Sequence, residues 1–395
     1  MLRVLTLSTL YPDVHRPVLG TFVERQTLGL AALPDVDVQV VVPRGLPPFP
    51  LSRLSRYGAV ADLPEDEVWN GLTIHRPRFL HIPKYAARFD ASLMVRALVP
   101  LLTRLRKTFA FDIIDAEYFF PDGPAAAALG RHFNVPVSIK ARGSDIHLWG
   151  KRADTAQQVL AAGRAADGML TVSTALKHDM AALGIPDERI AVHYTGVDMD
   201  LFKPVDRAVA KAALGISTPL IVSIGGLIPR KGHHILIEAL GQIAGTQGQI
   251  ADAQLVIIGG GAERDALQAQ ARQLGLADRV RLLGSQSREQ VAQWLAAADV
   301  MALATASEGL ANVWVEALAS GTPVITCDVG GAREIITGND AGRLVAHSAD
   351  AFAEAIKGIL ADSPARDTVS AFAERFTWTA NTAALHAHLK RLTRG

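Results

Sequence analysis

Two carboxylates, Glu308 and Glu316, flank an otherwise mostly apolar run in Ser307–Val324, SEGLANVWVEALASGTPV. A strand-like segment, DVMALAT, ends near Thr305. That leaves Glu308 in the following loop and the amides of Gly309, Leu310, Asn312 and Val313 in the first turn of a helix. Such amides lack intrahelical acceptors and carry the positive end of the helix dipole, so they favour a phosphate. A carboxylate beside a phosphate is repelled, so both glutamates should face neutral groups with hydroxyls to donate. Eight residues of helix at 1.5 Å each span roughly 12 Å, about the separation of the two sugars of a sugar nucleotide. A salt-bridged surface helix is the alternative. Against it, Val313, Val315, Ala317 and Leu318 make the segment mostly apolar, and buried glutamates without partners are costly.

Two further loops carry groups suited to the same ligand. GGLIPRKGHH, residues 225–234, follows the strand-like LIVSI. Gly225 and Gly226 allow close backbone approach, and the adjacent cations Arg230 and Lys231 suit a diphosphate; a solvated basic loop would read the same way. IIGGGAERDAL, residues 257–267, closes a strand with a glycine triplet that includes Gly260. Its backbone can approach a nucleotide, although it lacks the spacing of a dinucleotide fingerprint and a tight strand-to-helix turn explains it as well.

The elements that must position these loops alternate. From Leu220 onward short β-rich runs (LIVSIGG, LVIIGGG, RVRLLG, DVMALAT, PVITCDVGG) are separated by helical stretches such as Ala262–Leu274 and Arg288–Ala297. That order predicts a parallel sheet covered on both faces, with ligands beyond the carboxyl ends of its strands. LRVLTLST, VDVQVVVP, FDIIDAEYF and VPVSIKARG repeat the theme in the first half. A length of 395 residues implies two domains. The expected division is 1–200, 201–375, and a C-terminal amphipathic helix over 376–395. The net charge of +1 gives no reason to expect nucleic acid as a partner. The single Cys327 excludes an intramolecular disulfide, and no metal-ligand cluster surrounds it; a reducing, cytoplasmic setting is expected. The start MLRVLTLSTLYPD reads as a buried strand, not as a signal peptide, and no apolar run is long enough to span a membrane.

In this order, GGLIPRKG, IIGGG and EGLANVWVE followed by ALASGTPVI resemble the retaining family-four glycosyltransferases of GT-B architecture. The resemblance implies an α/β fold of two doubly wound Rossmann-like domains facing a central cleft. It implies that Glu308 contacts hydroxyls of the donor hexose, Glu316 the nucleotide ribose, and Arg230 and Lys231 the diphosphate. The commoner family form has Gly-Phe-Gly-Leu after the first glutamate, where this chain has Gly309-Leu310-Ala311-Asn312-Val313. PVLGTFVERQ resembles the family's glycine loop, which would bring Gly20 and Thr21 toward the donor phosphate. Arg142, in ARGSDIHLW, stands where many members have a histidine with an acceptor-side or sugar-contacting role; Arg142, Asp145 and His147 are the acceptor-side candidates, with a turn-capping role equally open for Asp145. FTW near Trp378 resembles the family's final helix, which crosses back to the first domain.

The resemblance implies transfer of a sugar from a UDP- or GDP-sugar to a glycan or lipid-linked hydroxyl with retention, with cations in place of a metal and no bound cofactor. Charge developing on the departing diphosphate would be met by Arg230 and Lys231. Between Arg44 and Lys107 the chain has 11 Lys/Arg against 5 Asp/Glu. Within that stretch MVRALVPLLTRLRKTF reads as a basic amphipathic helix, suited either to solvent or to peripheral contact with an anionic membrane. A nucleotide-sugar epimerase of related fold and a non-catalytic two-lobed sugar-nucleotide binding protein remain alternatives.

Overall fold

A computed structural model describes residues 1–82 and 87–394, the side chains of Ser55 and Arg56 excepted. Lys84, part of the basic stretch, lies outside the described residues, as does Gly395 at the end of the expected C-terminal helix. The chain divides into two units: Met1–Gly196 with the segment from Trp378, and Val197–Thr377.

The first unit is built on strands β1 (Leu2–Leu7), β2 (Val36–Val41), β3 (Arg44–Leu46), β4 (Asp66–Trp69), β5 (Leu72–His75), β6 (Arg78–Leu80), β7 (Ile113–Ala116), β8 (Val137–Ala141), β9 (Gly168–Thr171) and β10 (Ile190–Val192). Eight of them form one sheet in the order β10-β9-β8-β7-β1-β2-β5-β4, and β3 pairs with β6. Only β4 runs antiparallel in the large sheet; it sits at the edge, where Asp66 and Glu67 discourage further strand pairing. The central β7 and β8 are buried along their whole length because helices cover both faces, so a lysine in β8 is buried with them. The final helix, Trp378–Leu392, packs against the helix Thr21–Ala31 and against β7 and β8.

The second unit carries six parallel strands, β11 (Leu220–Ile224), β12 (Gln254–Ile258), β13 (Val280–Gly284), β14 (Val300–Leu303), β15 (Val324–Cys327) and β16 (Gly342–Val345), in the order β13-β12-β11-β14-β15-β16. β14 and β15 are fully buried, whereas the edge strands β13 and β16 are partly open, as their less apolar sequences require. Strand order reverses direction at β11/β14, the position at which open parallel sheets take ligands beyond the carboxyl ends of their strands. The equivalent reversal in the first unit lies at β1/β7.

The basic amphipathic helix is present as Ala87–Leu105, but its apolar stripe is not available to a membrane. Ala91, Met94, Leu98, Leu102 and Leu105 are buried within the first unit, and Arg88, Arg96 and Arg104 form the exposed face. The segment's amphipathicity is that of an ordinary surface helix facing its own core.

Candidate functional site

The loops after β11 and β14 bring together Arg230, Lys231 and Glu308, whereas Glu316 lies on the helix that follows. After β11, Pro229–Lys231 make one 3-10 turn that ends at Gly232 and leads into the helix His233–Ala244. The Ala306 amide donates to the Arg230 carbonyl at 2.9 Å, which ties this loop to the one that follows β14. Lys231 Nζ lies 2.5 Å from Glu308 Oε1, and Arg230 Nη1 lies 3.6 Å from the same oxygen. Thr305 Oγ1 donates to it at 2.8 Å, and the Arg230 guanidinium also donates to the Ser307 carbonyl. Glu308 is thus fixed at one oxygen by a hydroxyl and an ammonium, and its side chain is 11% exposed. Two cations against one carboxylate leave the cluster a single excess positive charge, and Arg230 is the more exposed of the two.

The glycine triplet acts as a packing surface for this loop. The Leu227 amide donates to the Gly260 carbonyl and the Gly225 amide to the Ile258 carbonyl, both at 2.9 Å. Gly226 borders open space, with only the Gly260 carbonyl, 3.8 Å away, near where a Cβ would stand.

The structure corrects the helical spacing of the two glutamates. The helix is Asn312–Ala319, with Ala311 at its N-cap, so Gly309 and Leu310 precede the first turn instead of forming it. Glu308 lies in non-helical chain, and a helical rise cannot be counted from it to Glu316. Asn312 and Val313 do occupy the first turn, and no side chain caps this helix start. Leu310 and Gly309 are buried, so neither presents a side chain to a ligand. The fully buried Trp314 anchors the helix in the core. Glu316 emerges partly exposed, with its Oε1 4.0 Å from Nη2 of Arg288, at the start of the helix Arg288–Ala297. Arg288 lies over the Phe202 ring at 5.5 Å and was not signalled in sequence, where it reads as an ordinary residue after the capping Ser287.

In the first unit, Gly20 is the N-cap of the helix Thr21–Ala31 with φ +67°. A Cβ there would stand 2.4 Å from the Leu10 carbonyl oxygen, so the loop from β1 can close on the helix start only with glycine. Thr21 opens that helix, whose N-terminus likewise has no side-chain cap. Arg142, just after β8, pairs with Glu117, just after β7, and its guanidinium lies over the Phe22 ring at 4.6 Å.

Asp145 is withdrawn from any ligand. It is fully buried and accepts from the amides of Phe119 (2.8 Å), Arg142 (3.0 Å) and Gly143 (2.7 Å), which is the turn-capping role. Burial pushes its carboxyl above the usual range despite those three donors. His147 Nε2 is 2.8 Å from Asp179 Oδ2 near the surface of this unit.

Sequence reading missed the polar residues behind Arg142. Asp115 and Glu117, and in the next strand Lys140 and Arg142, alternate at period two, so each pair projects from one face of the sheet. Charged residues at that spacing at the ends of two apolar strands were the available signal.

Asp122 adds a group that titrates near neutrality. Its Oδ2 accepts from the Thr9 amide at 2.9 Å, its Oδ1 is buried without a hydrogen-bond partner, and burial pushes its pKa to about 7. A carboxyl raised above its unfolded value of 3.8 favours the folded state fully below that value and loses the advantage as pH rises through about 7. Asp122→Asn is therefore expected to flatten the fall in melting temperature between about pH 4 and pH 8. Thermal unfolding across that range checks this; parallel curves for the two proteins would contradict it.

Comparison with known proteins decides what this geometry belongs to. The family model described as Glycosyltransferase Family 4 matches residues 19–201, and the one described as Glycosyl transferases group 1 matches residues 206–376. A D-inositol 3-phosphate glycosyltransferase of Jonesia denitrificans is 31% identical over 300 residues, 68% of this chain and 69% of that protein. The chain belongs to the GT-B glycosyltransferases. The putative teichuronic acid biosynthesis glycosyltransferase TuaC of Bacillus subtilis is 26% identical over 404 residues, all of this chain and 99% of that protein. Anabaena HepE in complex with UDP-glucose is 19% identical, with a TM-score of 0.73 over 99% of this chain and all of that one, a likeness of fold. Two Rossmann-like units with parallel sheets are the architecture of such transferases, as the motif spacing predicts.

Proposed function

We propose that this glycosyltransferase moves a hexose from a nucleotide diphosphate sugar, UDP- or GDP-linked, to a hydroxyl of a glycan or lipid-linked acceptor, with retention at the anomeric carbon. The observation that carries the reading is the meeting of Arg230, Lys231, Glu308 and the uncapped start of Asn312–Ala319 at one strand-order reversal. UDP-glucose in a protein of the same fold, and the teichuronic acid pathway of a full-length relative, support a nucleotide-sugar donor and a polysaccharide product.

In this reading the diphosphate lies against Arg230, Lys231 and the amides of Asn312 and Val313. Negative charge grows on the phosphate oxygen as the glycosidic bond breaks, and these groups stabilise it more in the transition state than in the bound substrate. They supply the positive charge that a metal would otherwise bring. Glu308, fixed through Oε1, keeps Oε2 for sugar hydroxyls, and Glu316 accepts from the ribose. The acceptor oxygen attacks from the side the leaving group vacates and passes its proton to the departing phosphate, so no enzyme carboxylate becomes bonded to the sugar.

A lipid-linked acceptor fits the surface of the first unit. Exposed Arg88, Arg96 and Arg104 and the exposed Phe49, Leu51 and Leu54 suit peripheral contact with an anionic bilayer. No helix among the described residues is long and apolar enough to cross a membrane.

The test incubates the protein with UDP-glucose, UDP-galactose, UDP-glucuronic acid, UDP-N-acetylglucosamine and GDP-mannose, each with and without a mixed bacterial glycolipid extract, and measures nucleotide diphosphate release. One donor should be consumed, faster with extract, and the anomeric configuration of the product should match the donor. Conversion of the donor sugar without nucleotide release would mark an epimerase, and no consumption would sink the enzyme reading. Glu316→Ala is expected to weaken binding of the released nucleotide about tenfold, the loss of roughly one charged hydrogen bond; unchanged affinity in calorimetry would remove the ribose role.

A further inference from the structure

Arg142 is the outer end of a continuous buried polar chain that starts on the C-terminal helix. Asn381, on that helix, offers its backbone carbonyl to His193 Nε2 at 2.8 Å. A carbonyl only accepts, so His193 carries its proton on Nε2 and leaves Nδ1 as an acceptor. Lys140 Nζ donates to that Nδ1 at 2.5 Å and to Gln26 Oε1 at 2.6 Å. The Gln26 amide group then donates to Glu117 Oε1, and Glu117 Oε2 pairs with Arg142. Arg142 Nε also reaches the Glu117 carbonyl at 3.2 Å.

Every member behind Arg142 is buried: Gln26, Glu117, Lys140 and His193 are each at most 2% exposed. Each link has a donor facing an acceptor, and reversing any one would place two donors or two acceptors face to face. The chain therefore has one self-consistent orientation, which fixes both oxygens of Glu117. Burial holds His193 neutral, in keeping with an imidazole that both donates and accepts, and burial likewise pulls Lys140 well below the ordinary lysine range. Such a network in a low-dielectric interior imposes a single geometry, because a half-broken version leaves polar groups stranded away from water.

Simple packing does not call for this arrangement. A lysine at the centre of a parallel sheet is costly, and an apolar residue would fill β8 as well. The chain ends instead on a guanidinium that is nearly buried, stacked on Phe22 in the first turn of the helix that Gly20 caps. Asn381 also donates from its side chain to the Tyr194 carbonyl at 2.6 Å, which secures the segment carrying His193 to the C-terminal helix.

We propose that Gln26, Glu117, Lys140, His193 and the helix Trp378–Leu392 form a positioning device that holds the Arg142 guanidinium in its working orientation. The C-terminal helix then does more than cover the sheet, since its docking is transmitted to a side chain beside the strand ends. The inference rests on the reading of Arg142 as an acceptor-side cation.

The test uses the full chain with Gln26→Leu, Glu117→Gln and His193→Phe, each checked for folding by thermal unfolding. Phenylglyoxal modification of Arg142 is followed by peptide mass spectrometry, with the exposed Arg131 as the internal control. Arg142 is expected to react about tenfold faster in the variants, the scale of one lost charged hydrogen bond, while Arg131 reacts at an unchanged rate. Transfer from the donor that the wild-type protein consumes should fall as Arg142 reactivity rises, with donor KM held and the loss confined to the acceptor-dependent rate. Unchanged Arg142 reactivity in the folded variants would overturn the positioning chain whether or not any donor is consumed. Raised reactivity with an unchanged transfer rate would show that the chain holds Arg142 but that the reaction does not need it there, which overturns the proposal equally. His193→Phe removes the ring nitrogen that accepts from Lys140 and lies farther along the chain from Arg142 than the other two, so it decides the matter if they do not fold.

Discussion

Replacing Lys231 by alanine is expected to lower turnover by about 10²- to 10³-fold, the loss seen when one preorganised donor is removed from a site of developing negative charge. Lys231 is the cation nearest Glu308, at 2.5 Å, and is far less exposed than Arg230, so its charge acts where water screens little. The change should appear in kcat more than in donor KM, because charge on the leaving diphosphate is greater in the transition state than in the bound donor. Lys231→Arg should recover only part of the rate, since a forked guanidinium cannot replace a point charge that must meet Glu308 and a phosphate together. Steady-state release of nucleotide diphosphate from the consumed donor gives both parameters. A drop in rate of less than about threefold would show that the leaving group is stabilised elsewhere. Melting temperatures of the same variants separate this effect from disruption of the ion pair, which leaves Glu308 to Thr305 and Arg230.

Gly330→Ala is expected to cost roughly 2–4 kcal/mol of stability, a drop in melting temperature of about 5–10 °C. Gly330 follows β15 with φ +51°, and a Cβ there would stand 2.1 Å from the Glu308 carbonyl oxygen and 2.8 Å from that of Gly309. The next amide, of Gly331, donates to the Gly309 carbonyl at 2.8 Å, so this turn props the Glu308 loop from below. The strain should therefore reach the site, and donor KM should rise along with the loss of stability. Gly358→Ala is the matched control: it lies exposed in the helix Ala349–Ala361 with nothing near its would-be Cβ, and alanine there should add about 0.5–1 kcal/mol. Equal effects of the two substitutions would remove the argument from close approach.

The fold was legible because parallel α/β architecture writes itself in local pattern. Apolar strand runs ending in glycine, separated by stretches of helical period, are produced by burial on both faces of a sheet and are visible one segment at a time; the helix over Arg288–Ala297 falls where its spacing places it. The charged loops of the second unit were legible for the same reason, since each follows directly on a strand end. The edge hairpin of β4 and β5 and the short pairing of β3 with β6 were not seen, because edge strands bury only one side and carry too few residues to show a period. The helix start near Glu308 was placed three residues early, because Gly309-Leu310-Ala311 is as apolar as helix and only tertiary packing holds it in a loop.

What the sequence by itself determined, then, is the order of the elements, the identity of the loops at the strand ends and the family they place the chain in. What only the tertiary structure decided is who meets whom. Lys231 and Glu308 are 77 positions apart and form one cluster because β11 and β14 are neighbours at the strand-order reversal. Asp145 is spent on three amides, the apolar stripe of Ala87–Leu105 on its own core, and His193 on a carbonyl 188 positions away. Residue type and spacing report local periodicity, whereas these partnerships are set by strand order and long-range docking, which no window of sequence contains.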